Sequence, residues 1–225
     1  MTAETIDQTR PLPIVIVGHV DHGKSTLIGR LLHETDSLPD GKVEQIKADS
    51  ERRGMPFEWS FVMDALQVER DQGITVDSSQ IWFSTAARRY VIIDAPGHKE
   101  FLKNMITGAA SAEAAVLVID AEEGVSEQTR RHAFLLNLLG VSQVAVAINK
   151  MDLVGNDEAR FREVSASIRD FLGGIGIEPS TVIPVSARHG GNIATPGTQT
   201  PWYAGPTVAE ALDAFAPRTA PLDRP

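Results

Sequence analysis

Short apolar runs alternate with helical patterns along most of the chain. Residues 14–17 form an apolar run, and after a glycine-bearing turn Leu27, Ile28, Leu31 and Leu32 recur at a spacing that predicts a helix over about 24–33. Further apolar runs at 114–119, 144–148 and 181–185 alternate with patterns that predict helices near 126–139 and 157–172. Near-continuous apolar strands separated by helices are typical of a parallel sheet with helices on both faces. The sequence therefore predicts an α/β fold.

The middle of the chain departs from that alternation. Residues 80–84 and 90–94 flank the connection Thr85-Ala86-Ala87-Arg88, which is too short for a parallel crossover, so they are predicted to form an antiparallel hairpin. Between 36 and 73 the residues are mostly polar, with scattered Met and aromatic side chains and no clean period. We predict one helix near 43–52 there, followed by a long mobile loop of the kind that usually has a function. With the hairpin included, the sequence predicts a mostly parallel six-stranded sheet with one antiparallel edge strand.

The two ends of the chain differ in composition from its middle. Residues 1–11 are polar and are predicted to be a flexible leader, and 12–216 are predicted to form one domain. A last helix is expected to begin at Thr207, because Glu210 stands three residues further on, at capping-box spacing. Residues 217–225 contain several prolines and are predicted to be a linker to absent downstream domains.

Composition removes several classes of function. The 225 residues include no cysteine, which excludes disulfides, thiolate-held metals and cysteine nucleophiles. A net charge of −9 makes nucleic acid an unexpected partner for this domain alone. The apolar runs are far shorter than the about 20 residues that a membrane helix needs, and the leader does not resemble a secretory signal. We therefore expect a cytoplasmic protein without a membrane partner.

The turn after the first strand carries the strongest chemical signal. It fits the pattern of a phosphate-binding loop between a strand and a helix, with the residues Gly18, His19, Val20, Asp21, His22, Gly23, Lys24 and Ser25, followed by Thr26. Glycines let several backbone N–H groups face one anion, and the helix start adds its positive dipole end. Lys24 is expected to contact the β- and γ-phosphates of a nucleoside triphosphate, and the Ser25 hydroxyl is expected to bind Mg²⁺.

Two further segments are candidates for contact with the metal and the last phosphate. Asp94 directly follows an apolar strand, where its carboxylate can hold Mg²⁺ through water, while the N–H of Gly97 can reach the γ-phosphate. Such an Asp-x-x-Gly segment is a common turn when it stands alone. Thr75, in Gly73-Ile74-Thr75, is expected to complete the Mg²⁺ shell only while the γ-phosphate is present, which would make its loop an order–disorder switch.

A fourth segment predicts which base is bound. Asn149, Lys150 and Asp152 follow the strand at 144–148, at the sheet edge where open α/β sheets bind ligands. One carboxylate, that of Asp152, can accept hydrogen bonds from both N1–H and the exocyclic amino group of guanine, an arrangement that adenine lacks. Backbone N–H groups of Ser186, Ala187 and Arg188 are placed to meet the guanine oxygen, although an ordinary turn there is equally plausible in isolation. The predicted ligands are GTP and GDP with Mg²⁺.

These motifs together resemble those of the translation-factor superfamily of GTPases over most of the chain. The resemblance implies a P-loop NTPase fold of the Ras-like G-domain type over 12–216. Residues 29–32, 69–75, 128–132 and 146–154 look most like the GTPase subunits of sulfate adenylyltransferases, while 94–108 also look like elongation factor 1-alpha. Histidines at positions 19 and 22 of the phosphate loop are more typical of bacterial translation factors than of many sulfate adenylyltransferase subunits.

The resemblance implies roles that the residues alone do not. His98 is implied to orient the attacking water, with Lys24 and Thr75 as the other catalytic residues and with Val20 and Ile74 as an apolar gate. Asp21 is a candidate to help bind a monovalent cation. The implied function is a GTPase that drives adenylyl sulfate synthesis by a catalytic adenylyltransferase partner in sulfate assimilation.

Two alternatives stay open at this point. One is a translation elongation factor domain that acts on the ribosome or on charged transfer RNA. The other is a nucleotide-binding scaffold without turnover, which the presence of Thr75, Gly97 and His98 disfavours.

Overall fold

A six-stranded sheet forms the centre of the protein. The structure, a computed structural model, describes residues 10–71, 80–93 and 112–217. The strands in these ranges are β1 Leu12–Gly18, β2 Gln80–Ser84, β3 Arg89–Ile93, β4 Ala114–Asp120, β5 Gln143–Asn149 and β6 Thr181–Pro184. Their order is β2-β3-β1-β4-β5-β6, and every neighbouring pair is parallel except the β2–β3 hairpin. The predicted sheet, with its antiparallel edge strand, is confirmed.

Alternate residues of the central strands point into two separate cores. On β1, Ile14 and Ile16 pack on one side of the sheet, whereas Val15 and Val17 pack on the other. The same alternation on β4 explains why residues 14–17 of β1 and 114–119 of β4 are all apolar, since neither face of the sheet meets water there.

Helices cover both faces, as predicted. The α-helices in the described ranges are α1 Lys24–Glu34, α2 Lys42–Arg52, α3 Ser60–Asp71, α4 Glu127–Leu138, α5 Glu158–Gly174 and α6 Val208–Asp213. Buried side chains of α1, α2, α3 and α6 join the core that holds Ile14, and those of α4 and α5 join the core that holds Val15. The expected start at Thr207 is confirmed, because its hydroxyl and the Glu210 carboxylate form a complete capping box.

The prediction of a single long loop from about residue 53 to 73 is wrong. Helix α3 occupies most of that stretch, with Val62 fully buried and Phe61, Ala65 and Leu66 packed against the same core. Gly29 of α1 lies so close to the Trp59 carbonyl that a Cβ at that glycine would come within 2.2 Å of the oxygen. The close contact between α1 and this segment stabilises a helix that its own sequence indicates only weakly.

The carboxyl ends of four parallel strands meet at one edge of the sheet. Gly18 pairs with Val118, Asp120 with Asn149, and Ile148 with Pro184, so the chain leaves β1, β4, β5 and β6 at the same edge. Ligands of open α/β sheets bind at this edge. Among the described helices, none is both long enough and apolar enough to span a lipid bilayer.

Candidate nucleotide-binding site

The phosphate loop is a tight turn from the end of β1 to the start of α1. Gly23 adopts φ +84°, and a Cβ there would lie 2.4 Å from the Asn149 Nδ2 atom, so both its conformation and its surroundings require glycine. As the residue before α1, Gly23 offers no side-chain oxygen to the first turn of the helix. The backbone N–H groups of that turn are therefore directed towards the loop, where an anion can accept them.

Lys24 is folded back across this loop. Its Nζ donates hydrogen bonds to the Gly18 carbonyl at 2.8 Å and to the His19 carbonyl at 2.7 Å. Burial lowers the pKa of Lys24 to about 8, although the nearby Asp21 carboxylate acts in the opposite direction. The ammonium group is thus held over the loop at a cost in hydration, and a phosphate group would supply a compensating charge.

The lowered pKa of Lys24 predicts how stability changes with pH in the nucleotide-free protein. Below about pH 8 the lysine is protonated in both states, and the cost of its burial is fully present. Between about pH 8 and the unfolded value of 10.5 the folded state loses the proton first, so the free energy of unfolding should rise with pH. Between pH 7.5 and pH 10, the free energy of unfolding of wild type should rise by about 2 kcal/mol more than that of Lys24→Met. Urea unfolding of both proteins at the two pH values measures this difference.

Lys47→Met is the control for this prediction. Lys47 is an exposed residue of α2, so removing its charge should leave the pH dependence of wild type in place. Equal pH dependence in Lys24→Met and wild type would contradict the assigned burial cost.

His22, in the middle of the phosphate loop, is held by contacts with Val118 and Glu123. Its ring is buried, with Nδ1 3.2 Å from the Val118 carbonyl oxygen and Nε2 2.7 Å from the Glu123 carboxylate. The Val118 carbonyl and the Glu123 carboxylate are both hydrogen-bond acceptors, so each can accept from a ring N–H of His22. The hydrogen bond from His22 lowers the pKa of the Glu123 carboxyl, although partial burial opposes it. The two contacts tie the phosphate loop to β4 and to Glu123.

Asn149 connects the two halves of the site. Its Nδ2 donates to the His22 carbonyl at 2.9 Å, and its Oδ1 accepts from the Ala187 N–H at 3.0 Å. The side chain is only 2% exposed. We call this arrangement the Asn149 clamp, because one buried amide ties the phosphate loop to the segment that follows β6.

The loop after β6 also contacts the candidate base-reading carboxylate. We define residues 186–194 as the base loop. Ser186 donates from Oγ to Asp152 Oδ1 at 2.6 Å, and His189 Nε2 lies 3.8 Å from Asp152 Oδ2. Asp152 itself lies in a short 3₁₀ turn, Met151–Val154, directly after β5. The structure therefore brings Asp152 and the base loop together, as the sequence predicts for a guanine pocket.

Lys150 is held by Asp120, which is not among the residues predicted from the sequence. Its Nζ forms an ion pair with Asp120 Oδ2 at 2.7 Å, and its backbone is left-handed with φ +61°. Burial acts to raise the pKa of Asp120, but the hydrogen bonds from Lys150 and from the Glu122 N–H outweigh it, and the net pKa is lowered. Asp120 thereby fixes the side chain of Lys150 at the sheet edge.

Of the two acidic residues that hold Lys150 and His22, Asp120 has a sequence signal and Glu123 has none. Asp120 ends the apolar strand β4, just as Asn149 ends β5, so the rule that placed Asn149 at the site applies to Asp120 as well. Glu123 has no such signal, because its role depends on a contact with His22 that lies 101 positions away in the sequence.

Some of the remaining predicted site residues lie within the described ranges, and others lie outside them. Ser25 is exposed in the first turn of α1, next to Lys24, where its hydroxyl suits a hard cation that keeps water and phosphate oxygens as its other ligands. Val20 and Thr26 are half-buried, and Asp21 and Arg188 are exposed. Ile74, Thr75, Asp94, Gly97 and His98 lie outside the described residues, as do 1–9 and 218–225. Their predicted roles stay predictions.

Comparison with known proteins assigns the family. Residues 10–218 match the family model of the elongation factor Tu GTP binding domain. The chain belongs to this family. It is a GTP-binding GTPase domain of the translation-factor type, which confirms the resemblance at that level.

Individual similar proteins indicate which type of GTPase domain this chain resembles. The chain is 47% identical over 212 residues to elongation factor 1-alpha of Thermococcus kodakarensis and 48% identical over 212 residues to that of Pyrococcus furiosus, covering 94% of this chain and 49% of each relative. It therefore spans about half the length of these relatives. Structures of sup35 with GDP and with GMPPNP superpose with TM-scores of 0.63 and 0.64, at 31% and 30% identity, over 92% and 93% of this chain and 45% and 46% of those chains. These matches favour the elongation-factor alternative over a sulfate adenylyltransferase subunit.

Proposed function

We propose that this chain is the GTPase domain of a translation elongation factor of the elongation factor 1-alpha type, which binds GTP with Mg²⁺ and hydrolyses it to GDP and phosphate. The single observation that carries the proposed binding of GTP is the Asn149 clamp. It joins a loop shaped for phosphates to a loop that contacts a carboxylate suited to guanine, so one ligand with both chemistries fits the edge.

Each residue of the proposed site has one task. Lys24 and the N–H groups at the start of α1 neutralise the phosphates, and Asp152 reads N1–H and the exocyclic amino group of guanine. Ser25, Thr75 and Asp94 would hold Mg²⁺, which when bound neutralises the charge that develops on the γ-phosphate. His98 is proposed to orient the attacking water. The water oxygen bonds to the γ-phosphorus as the bond from that phosphorus to the bridging oxygen breaks, GDP leaves, and the proton of the water passes to the released phosphate.

The names of the similar proteins support the elongation-factor role over the sulfate role. Relatives at 47–48% identity are elongation factors, whereas a catalytic adenylyltransferase partner rests on motif resemblance alone. The test is the rate of GTP hydrolysis by the purified chain alone, with ribosomes, and with a sulfate adenylyltransferase catalytic subunit. We expect slow hydrolysis alone, on the order of 10⁻⁴–10⁻² s⁻¹, and acceleration by ribosomes only. Acceleration only by the adenylyltransferase subunit, with adenylyl sulfate formed, would overturn the elongation-factor role.

His98→Ala tests the proposed hydrolytic step. Loss of a group that orients the attacking water should lower single-turnover GTP hydrolysis by about 100-fold, because positioned acid–base groups contribute on this scale. GTP affinity should change little, since the imidazole is not proposed to bind the ground state. His33→Ala is the matched control: it removes an exposed imidazole of α1 that stacks on Trp59, so it can lower stability but should hydrolyse GTP like wild type. A collapse of GTP affinity in His98→Ala would contradict this role.

A further inference from the structure

The second half of α1 is bonded directly to the base loop. Arg30 Nε donates to Glu34 Oε1 at 2.6 Å, and the other carboxylate oxygen of Glu34 accepts from the Ala194 N–H at 3.0 Å. Both side chains are largely buried, at 21% and 12% exposed, whereas ion pairs on open helix surfaces contribute little. The Arg30–Glu34 pair therefore connects the helix that begins at Lys24 to the loop that contacts Asp152.

Hydrogen bonds restrict the backbone of the base loop along its length. Its N–H groups at 189, 190 and 191 all donate to the Ser186 carbonyl, which closes the first half into a compact turn. The second half is anchored by buried Asn192, which donates to the Pro184 carbonyl and accepts from the Gly197 N–H. The base loop is therefore one hydrogen-bonded unit, which contains both the Ala194 N–H that Glu34 accepts and the Ser186 hydroxyl that holds Asp152.

The loop also touches the pair at a second point. A Cβ at Gly190 would come within 2.2 Å of an Arg30 guanidinium nitrogen and 2.6 Å of Glu34 Oε1, so the loop backbone lies directly against both side chains. The guanidinium is confined on another side by the Trp59 ring, 4.8 Å from its centroid. The pair lines one cleft of about 540 Å³ together with Asp152 and Ser186.

We infer that Glu34 is a positioning residue that holds the base loop against α1 and thereby slows the release of guanine nucleotide. The inference rests on the proposed base-reading role of Asp152. Because α1 carries Lys24 at its start and Glu34 at its end, the contact fixes the phosphate end and the base end of the site as one unit. Loosening it moves the base loop without touching any group that binds phosphate.

Glu34→Ala tests this inference through the rate of nucleotide release. Release of fluorescent GDP should be about 10-fold faster, the scale expected when a charge-assisted hydrogen bond to the loop is lost. The ratio of GDP affinity to IDP affinity should also decrease, because the base of IDP lacks the exocyclic amino group that Asp152 is proposed to read. Single-turnover hydrolysis of bound GTP should stay at the wild-type rate. Glu34→Gln keeps one acceptor oxygen for the Ala194 N–H and should fall between wild type and Glu34→Ala.

Glu158→Ala is the matched control. It breaks another ion pair four residues apart within one helix, Glu158–Arg162 at 2.6 Å on α5, which lies at an exposed surface. Poor folding alone would reduce the number of binding sites but would not change the base preference. Wild-type release and wild-type base preference in Glu34→Ala would overturn the inference. If Asp152→Asn, measured in parallel, changes base preference in that case, the proposed function survives and only the role of Glu34 fails.

Discussion

Asp152→Asn is expected to shift this domain from GTP towards XTP. The carboxylate can accept two hydrogen bonds from guanine, each worth about 1.5–3 kcal/mol, so their loss should weaken GTP binding by about 10²–10⁴-fold. An amide can donate to the carbonyl that xanthine carries in place of the amino group, and XTP affinity should rise. Titration with fluorescent GTP, XTP and ATP analogues measures all three affinities.

The structure indicates that this substitution leaves the loop geometry intact. An asparagine Oδ1 can still accept the 2.6 Å hydrogen bond from Ser186, so the melting temperature should match that of wild type. Asp170→Asn makes the same chemical change on the exposed face of α5 and should keep the GTP preference. Unchanged GTP affinity in a folded Asp152→Asn variant would show that this carboxylate does not read the base.

The elements that follow from local pattern were predictable from the sequence. Strict alternation of Ile14, Val15, Ile16 and Val17 between two cores requires an apolar strand buried on both faces, and that is what the sequence indicates. The capping box at Thr207 involves a spacing of three residues and needs no tertiary information. The convergence of Lys24, Asn149 and Asp152 also follows from sequence, because each lies at the carboxyl end of a parallel strand or in the turn that follows it.

Helix α3 was not predicted because its local pattern is ambiguous. Phe57, Trp59, Phe61 and Met63 recur at every second position, which conflicts with the helical spacing of Phe61, Val62, Ala65 and Leu66. Packing resolves the conflict, since Trp59 precedes the helix and stacks on His33 of α1 at 4.7 Å. The contact between two segments distant in sequence decides the structure there.

The supporting contacts of the site are long-range for the same reason. Glu34 meets Ala194 across 160 positions, and Asn149 meets His22 across 127 positions. Motif spacing identifies residues that face a ligand, but it carries no information on which distant side chain holds each motif in place. These partners required the structure.

Asn149→Ala is expected to weaken both the fold and nucleotide binding. It removes two buried hydrogen bonds and leaves the His22 carbonyl and the Ala187 N–H without this partner, each at a cost of about 1–3 kcal/mol. We therefore expect the free energy of unfolding to fall by about 2–5 kcal/mol. GTP affinity should fall by about 10²–10³-fold, because the phosphate loop and the base loop are no longer tied to one amide. Urea unfolding and nucleotide titration measure the two effects separately.

Asn149→Asp separates the two halves of the clamp. Its carboxylate still accepts from the Ala187 N–H but cannot donate to the His22 carbonyl, so the base loop stays anchored while the phosphate loop is released. The variant should therefore lose GTP affinity while keeping its preference for GTP over ATP, whereas Asn149→Ala loses both. Asn137→Ala, at an exposed position near the end of α4, is the control and should behave as wild type. If Asn149→Ala bound GTP like wild type, one buried amide would not be what joins the two loops into a single nucleotide site.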